Sequence, residues 1–274
     1  MRSLRNIFLA LLAVIVISAI GFTFWLRDRY VVPVLMYHHV GIPSGVKWRL
    51  NDVSSKSFDY QLNFMKRHGF QVISLDDLVT GLKKGQVFSR NTIVITVDDG
   101  YEDNYKYAFP ILKKYGFPAT IFLVSDWVGK PGCLTWDEIK EMEKHDISFG
   151  AHTRHHAYLP RLTLAQQENE IAGSKRIIEG HLGHPIDYFC YPDGGFTENI
   201  KRLVAQAGFK AAVTTNRGKD RFDRDFYELK RIHMNNTDDR YSGLILWFKF
   251  SGYYNLFRRF RFEGGRMERG TLYE

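Results

Sequence analysis

Residues 92–100, TIVITVDDG, decide how the rest of the chain is interpreted. The β-branched run before Asp98 predicts a buried strand, and Asp98, Asp99 and Gly100 predict the turn that ends it. Adjacent carboxylates that are only partly exposed repel each other unless a cation or a shared proton lies nearby. A turn whose acids face solvent is the alternative, since Asp and Gly are common turn residues.

A second strand-like segment, ISFGAHTRHH at residues 147–156, ends in histidines. His152 and His156 are four residues apart, a spacing that lets two imidazoles converge on one ion. Together with one Asp they would form a two-histidine, one-carboxylate set, which leaves positions on Zn²⁺ or a similar divalent metal open. A metallopeptidase is not indicated, because the sequence has no HExxH motif.

Both segments resemble motifs of a known family. TVDDG, residues 96–100, resembles the TFDDG motif of the NodB-type polysaccharide deacetylases, carbohydrate esterase family 4. HTRHH, residues 152–156, resembles the family's H-[ST]-x-x-H motif. The resemblance extends over most of residues 31–235 and is specific because the two motifs occur together in this order.

The resemblance implies a role for each of these residues. Asp99, His152 and His156 would bind a divalent metal, with Zn favoured and Ni, Co, Fe or Mn as alternatives. Asp98 would be the general base, and the metal would polarise the acetamide carbonyl. The family motif passes over His155, which is expected to be exposed or to support a ligand through a hydrogen bond.

The stretch FCYPDG resembles the family's third motif, RPPYG, but Cys190 stands where the family has Arg. Tyr191 and Pro192 take the two proline positions and are candidate substrate-binding residues. The resemblance implies that the backbone N–H of Asp193 stabilises the oxyanion. Because the family's Arg orients the base, its absence leaves the group that positions Asp98 unassigned.

Two histidines are candidates for the general acid that protonates the departing amine. His233, in RIHMNN, resembles the histidine of the family's late Leu-His motif. MYHHV, residues 36–40, resembles the YHxV-type segment that supplies the acid in a subgroup acting on poly-N-acetylglucosamine, which makes His38 the preferred candidate. Structural roles for both histidines are the alternative.

Predicted strands and helices alternate about seven times between residues 31 and 233, which indicates an α/β protein with a parallel sheet. ELKRI, residues 228–232, is expected to be the last strand. By pattern alone a doubly wound sheet fits as well as a barrel, whereas the resemblance implies a distorted (β/α)7-type barrel. The candidate polar residues all follow predicted strands: His38, His39, Asp98, Asp99, His152, Asp193 and His233. In a barrel those strand ends share the face on which active sites lie.

An apolar run of 20 residues without a charge, from Ile7 to Leu26, precedes this domain. It is long enough to cross ~30 Å of hydrocarbon, and the arginines before it predict a cytoplasmic N-terminus and a periplasmic or extracellular catalytic domain. A cleaved signal peptide is the alternative. The predicted organisation is an anchor at residues 1–29, a NodB-like deacetylase domain at residues 30–240 and a basic aromatic tail at residues 241–274.

The composition favours a folded domain with a large core, because 45% of the residues are hydrophobic and 15% aromatic. The formal net charge is +8, but no nucleic-acid recognition motif accompanies it, and an anionic membrane or cell wall explains it equally well. Cys133 and Cys190 could pair outside the cytoplasm, although a free buried thiol is favoured for Cys190.

The segment from Leu244 to Phe262 mixes aromatic with basic residues. It could lie on the membrane surface, bind a glycan by stacking, or pack on the barrel as a terminal helix.

The sequence as a whole predicts a membrane-anchored, extracytoplasmic, metal-dependent hydrolase. It would remove N-acetyl groups from an N-acetylhexosamine polysaccharide, with poly-N-acetylglucosamine favoured. The same fold acting on peptidoglycan, chitin-like oligomers or O-acetyl esters is one alternative. A glycan-binding or assembly protein with impaired catalysis is another, for which the altered third motif argues.

Overall fold

The computed structural model describes residues 2–27, 30–41, 52–215, 225–236, 238 and 243–254. Helices and strands alternate through this part of the chain. The helices are α1 (Arg2–Arg27), α2 (Ser55–Arg67), α3 (Leu75–Lys83), α4 (Phe109–Tyr115), α5 (Trp136–Glu143), α6 (Leu164–Leu182), α7 (Glu198–Gln206) and α8 (Leu244–Phe250). The strands are β1 (Val34–Tyr37), β2 (Gln71–Ile73), β3 (Thr92–Val97), β4 (Ala119–Leu123), β5 (Ile147–Ala151), β6 (Tyr188–Cys190), β7 (Ala211–Thr214), β8 (Leu229–Lys230) and β9 (Ile232–His233).

The N-terminal helix α1 has the length and composition of a membrane-crossing helix. Its apolar window, Asn6–Trp25, has a mean hydropathy of 2.8, and none of it is buried against the rest of the described protein. A signal sequence near an N-terminus has the same properties, so the membrane anchor and the direction of crossing both stay predictions.

The sheet is parallel throughout its strand pairs and closes on itself. Its order is β8-β7-β6-β5-β4-β3-β1-β9, with β2 paired to the first half of β3. Strand β8 pairs with β7, and β9 pairs with β1, although both belong to the short segment 229–233. The two ends of the sheet therefore meet in one segment, which confirms the barrel and excludes the doubly wound sheet.

The last strand differs from the expected continuous ELKRI strand. Arg231 separates β8 from β9, and its side chain is 1% exposed. Strand β8, before Arg231, pairs with β7, and strand β9, after Arg231, pairs with β1. A single short segment thus closes the barrel by changing partner at Arg231.

The core consists of two layers because successive strand residues face opposite sides of a sheet. In β3, Ile95 and Val97 pack with residues of the surrounding helices, including Leu62 of α2. Val94 belongs to a second cluster with Phe122, in which side chains of α3 also take part. The second cluster fills the interior of the barrel, which is therefore a packed core and not a pore. The polar groups that could react with a substrate lie at the strand ends.

The described part of the predicted tail is the helix α8, and it packs on the barrel. Leu246 and Phe250 are buried, whereas Leu244, Trp247 and Phe248 are 69%, 46% and 42% exposed. Residues 255–274 lie outside the described residues. Both cysteines are described and neither forms a disulfide, Cys190 being buried and Cys133 partly buried.

Gly150 of β5 generates a prediction about packing inside the barrel. A Cβ at this position would lie 2.6 Å from Cδ1 of Phe122 and 2.8 Å from the carbonyl oxygen of Tyr188. Overpacking of this kind typically costs about 1–3 kcal/mol, so we expect Gly150→Ala to lower the free energy of unfolding by that amount. Denaturant-induced unfolding measures the change.

Gly180 of α6 provides the matched control, because a Cβ there would meet no atom of the described protein within 4 Å. Gly180→Ala should raise the free energy of unfolding by about 0.5–1 kcal/mol, as expected for a helix interior. Equal effects of the two substitutions would contradict the packing argument.

Candidate active site

The acidic pair lies where β3 leaves the sheet. Asp98 and Asp99 are 2% and 6% exposed, and the amide of Asp98 donates a hydrogen bond to the carbonyl oxygen of Tyr37 on β1. Asp99 has a φ of +75° and Gly100 a φ of +72°, so the chain turns sharply after Asp98. The turn points two neighbouring carboxylates in different directions, and neither one faces solvent as an ordinary surface turn would require.

Asp99 faces the two histidines that follow β5. Its Oδ1 atom is 3.4 Å from Nε2 of His152 and 3.4 Å from Nε2 of His156. One ligand atom from each of the three residues lies within 4.8 Å of the others. The structure thus brings together the three residues expected from the sequence to share one ion.

The orientation of His152 is fixed by the third motif. Its Nδ1 atom is 2.8 Å from the carbonyl oxygen of Cys190, and since a carbonyl can only accept, Nδ1 carries the hydrogen. Nε2 therefore faces Oδ1 of Asp99 at 3.4 Å and is the ring nitrogen that the neutral imidazole would offer to an ion. A backbone carbonyl that holds the second nitrogen is the usual support for a metal-binding histidine.

The donor set fits a divalent cation. Oδ1 of Asp99 is buried, and among the described residues it has no hydrogen-bond partner. Burial raises the pKa of Asp99, but the neighbouring imidazoles of His152, His38 and His156 outweigh burial and hold the pKa below its usual range. An ionised, buried and unpartnered oxygen between two imidazole nitrogens is the environment that a cation would satisfy.

Asp98 is held by an arginine that the sequence analysis did not identify. Nη1 of Arg231 is 2.6 Å from Oδ1 of Asp98, and Nη2 is 2.6 Å from Oδ2. The guanidinium also donates to the carbonyl oxygen of Thr214, to Oγ1 of Thr96 and to Sγ of Cys190, each at 3.1 Å. Burial raises the pKa of Asp98, but the charge of Arg231 outweighs it and keeps the carboxylate ionised.

Arg231 supplies the guanidinium that the third motif lacks. The side chain of Cys190 is small enough to leave room for the guanidinium of Arg231, and its sulfur lies 3.1 Å from Nη2. Asp98, His152 and Cys190 also form a cluster of potential ligands, but both oxygens of Asp98 and the sulfur are already engaged by Arg231. Arg231 lies within the predicted last strand, ELKRI, and a basic residue at that place was the sequence signal that could have located this partner.

The two candidate acids, His38 and His233, lie next to each other at the rim of the barrel, where β1 and β9 end. Nε2 of His38 is 3.8 Å from Oδ2 of Asp98, and the rings of His38 and His233 are 6.3 Å apart. Burial lowers the pKa of His38, and the Asp98 and Asp99 carboxylates oppose that shift only in part. Of the two imidazoles, His38 has the described contact with the proposed base.

His155 points away from the donor set. Its Nδ1 is 2.6 Å from Oε1 of Glu170 and its Nε2 is 3.1 Å from Oδ2 of Asp126. Oε2 of Glu170 accepts hydrogen bonds from the backbone amides of Arg154 and His155 at 2.8 and 3.0 Å. Glu170 therefore anchors the turn that carries His156.

The third motif contributes backbone to the site. Asp193 has a φ of +53°, and its side chain is exposed. Tyr191 is 1% exposed and its hydroxyl donates to the carbonyl oxygen of Tyr227, while Pro192 is buried. The side chain of Tyr191 is thus packed within the protein and is not presented to a sugar.

Comparison with known proteins agrees with this geometry. A family model described as polysaccharide deacetylase matches residues 85–212. The protein YxkH of Bacillus subtilis (strain 168), named as a polysaccharide deacetylase, is 34% identical over 203 residues, which cover 74% of this chain and 71% of YxkH. The poly-beta-1,6-N-acetyl-D-glucosamine N-deacetylase of Staphylococcus aureus (strain MSSA476) is 26% identical over 207 residues, which cover 70% of each protein.

Among solved structures, the Streptococcus pyogenes deacetylase PplD in complex with acetate superimposes with a TM-score of 0.69. The sequences are 29% identical, and the match covers 74% of this chain and 92% of PplD. The barrel with its polar strand ends defines an α/β-barrel hydrolase. The chain belongs to the polysaccharide deacetylase family, and the class of enzyme is a deacetylase.

Arg231 generates a prediction about the pH dependence of activity. Arg231 is the largest influence that opposes burial at Asp98, so removal of its charge raises the pKa of the carboxyl. Since a base must be ionised, activity is lost as the pH falls through that pKa. We expect Arg231→Met to move the acidic limb of the pH–activity profile to higher pH and to lower turnover.

The same substitution should lower the free energy of unfolding at neutral pH by roughly 3–5 kcal/mol, because it leaves Asp98 buried and unpaired. The depressed pKa of Asp98 stabilises the wild-type fold above the unfolded pKa near ~3.9, and this contribution is lost as the pH falls through the folded pKa. Arg231→Lys keeps the charge but not the paired hydrogen bonds, so it should give an intermediate result. An unchanged acidic limb in Arg231→Met would exclude this role.

Proposed function

We propose that this protein hydrolyses N-acetyl groups of an extracytoplasmic N-acetylhexosamine polysaccharide with the help of a divalent metal, releasing acetate and leaving free amines. The observation that carries the proposal is the convergence of Asp99, His152 and His156, with the Arg231-held carboxylate of Asp98 directly beside them. This arrangement supports one ionised acid as a metal ligand and the neighbouring acid as a base.

Asp99, His152 and His156 would hold the metal, with Zn²⁺ favoured because imidazole and carboxylate are its ordinary ligands. When bound, such an ion acts as a Lewis acid toward the acetamide carbonyl and lowers the pKa of water. Ni, Co, Fe and Mn are the alternatives, since affinity depends on availability as well as on ligand type.

The remaining steps fall to this chain's own residues. Asp98 takes a proton from the attacking water, and the two hydrogen bonds from Arg231 keep its carboxylate ionised and oriented. The backbone N–H of Asp193 would donate to the oxyanion as the carbonyl becomes tetrahedral. A protonated imidazole, His38 by preference, gives its proton to the amine as the C–N bond breaks, which leaves acetate and a free amine.

Poly-N-acetylglucosamine is the favoured polymer. The Staphylococcus aureus relative carries that substrate in its name, and it matches 70% of this chain. The YHxV-like segment around His38 supports the same subgroup. Peptidoglycan, chitin-like oligomers and O-acetyl esters are the alternative substrates of the same chemistry.

Catalysis is favoured over glycan binding without turnover. The substituted third motif was the main support for an impaired enzyme, because it removes the Arg that orients the base. Arg231 contacts both oxygens of Asp98 from another strand, so that objection loses its force. We therefore propose an active enzyme.

The proposed location is the outer side of a membrane. Helix α1 would anchor the chain with its N-terminus in the cytoplasm, and residues 30–240 would form the catalytic domain outside. An anionic cell surface matches the formal net charge of +8.

The proposal predicts the outcome of an acetate-release assay. The full chain, incubated in parallel with poly-N-acetylglucosamine, chitooligosaccharide and peptidoglycan, should release most acetate from the first. Removal of metal with a chelator should abolish release, and added Zn²⁺ should restore it, because the ligand set loses its ion.

Asp98→Asn is the matched control, since it keeps the shape of the side chain but removes the base. It should retain bound metal, measured by elemental analysis, and release no acetate above background. Metal binding by the wild-type protein without acetate from any acetylated glycan would support the glycan-binding alternative instead.

Single substitutions should separate the two candidate acids. We expect His38→Ala to reduce turnover by ~10²–10⁴, because the departing amine loses its proton donor, while the metal content stays unchanged. The loss in His233→Ala should be smaller, because Nε2 of His38 lies 3.8 Å from Oδ2 of Asp98, whereas the ring centroid of His233 lies 6.3 Å from that of His38. The reverse order of effects would assign the acid to His233.

A further inference from the structure

Lys249 of α8 is a buried charge outside the proposed site. The residue is 6% exposed, and its Nζ atom is 2.6 Å from Oδ2 of Asp238. Removing two charges from water is costly, and such a pair is often no more stable than apolar residues of the same size. A charge pair that brings no clear gain in stability calls for a role in specifying geometry.

The same ammonium group holds the end of the last strand. Nζ of Lys249 donates to the carbonyl oxygen of His233 at 2.5 Å. Its partner Asp238 accepts a hydrogen bond from the amide of Asn235 at 2.8 Å, through the same Oδ2 atom. Lys249 therefore clamps the backbone in two ways. It binds the carbonyl of His233 directly, and through Asp238 it holds the turn that follows His233.

His233 is the residue through which this clamp reaches the site. It is the final residue of β9, and the next amide, that of Met234, donates to the carbonyl oxygen of Met36 on β1. The ring of His233 lies 6.3 Å from that of His38, whose Nε2 is 3.8 Å from the carboxylate of Asp98. A shift of the His233 backbone is thus transmitted to the imidazole pair at the rim.

We propose that Lys249 is a positioning residue for catalysis, which acts on the imidazole pair through the backbone of His233. The inference deepens the proposed function and rests on it. It also makes α8 part of the catalytic unit, although the helix lies in the segment that the sequence presents as a basic aromatic tail.

Several hydrogen bonds besides those of Lys249 hold the turn after His233. Loss of the Lys249 contacts should therefore displace this turn and not unfold it. From α2, Nε2 of Gln61 donates to the carbonyl oxygen of Asn235 at 3.1 Å. Just before α2, the amide of Ser54 donates to Oδ1 of Asn236 at 3.0 Å. These contacts come from α2 and the residues just before it, whereas the bond from Lys249 to the carbonyl oxygen of His233 comes from α8.

The test is the steady-state kinetics of Lys249→Met in the full chain. We expect kcat to fall about tenfold, as for a small displacement of a catalytic group, with KM and bound metal unchanged. Lys249→Arg retains a buried cation and should recover most of the activity. An unchanged kcat in Lys249→Met would overturn the proposal.

A double-mutant cycle asks whether Lys249 acts through His233. If it does, Lys249→Met combined with His233→Ala should lose no more activity than His233→Ala alone. Independent, multiplicative losses would assign Lys249 some other route to the site and would overturn this one.

Lys201 of α7 offers the matched control. It is 8% exposed, and its Nζ lies 2.6 Å from Asp225, 3.0 Å from Glu198 and 3.3 Å from Glu228, so it is another buried ammonium group paired with carboxylates, on a different helix from Lys249. Lys201→Met should lower stability as Lys249→Met does, but leave kcat unchanged. An equal fall in kcat for both would reduce the effect of Lys249 to stability alone.

A second variant and an NMR measurement test the proposal where Lys249→Met or the activity assay fails. If Lys249→Met fails to fold, Asp238→Asn combined with Lys249→Gln removes both charges and leaves no unpaired one. If the wild-type chain releases no acetate, the proposed function fails, but the NMR signal of the His233 ring Cε1–H still decides the contact. That signal should shift in Lys249→Met or in the double variant and stay in place in Lys201→Met; the absence of a shift would overturn the proposal.

Discussion

The burial of two adjacent carboxylates at one strand end is the constraint on which this structure depends. Asp98 and Asp99 are almost completely removed from water, and burial alone would protonate both. The fold gives each its own partner: a guanidinium for Asp98, and two imidazole nitrogens, with the proposed metal, for Asp99. Because these partners approach from different strands, the two acids can have different chemical roles although they are neighbours in sequence.

Closure of the barrel and orientation of the base rest on the same residue. Arg231 stands where the last segment changes its pairing from β7 to β1. Its guanidinium contacts Thr96 on β3, Cys190 on β6 and the carbonyl of Thr214 on β7, as well as Asp98. An arginine at position 190, as in the family motif, would compete for this space. Arg231 therefore compensates for the replacement of the family's arginine by Cys190, from another part of the barrel.

The strands and the pair of histidines could be predicted because they depend on local sequence: apolar runs that end in polar residues, and two histidines four residues apart. The barrel and the choice of Asp99 as the third ligand were implied only by the family resemblance, because the pattern alone fits a doubly wound sheet equally well. The partner of Asp98 could not be predicted, because it is 133 residues away and the contact exists only once the barrel has closed. The contribution of Lys249 was hidden for a similar reason. Composition indicated a basic aromatic segment, but not which of its charges would be buried.

Backbone strain is concentrated around the same strand ends. Five non-glycine residues among those described have a positive φ, and four of them, Asp99, Thr153, His156 and Asp193, lie at the site. Such conformations cost on the order of 1–3 kcal/mol each and persist only where the surroundings hold them. Around His156 the support comes from Glu170, whose carboxylate binds two successive backbone amides and the ring of His155. Contacts within the protein therefore hold the shape of this turn, and His155 contributes to it through Glu170 instead of joining the donor set.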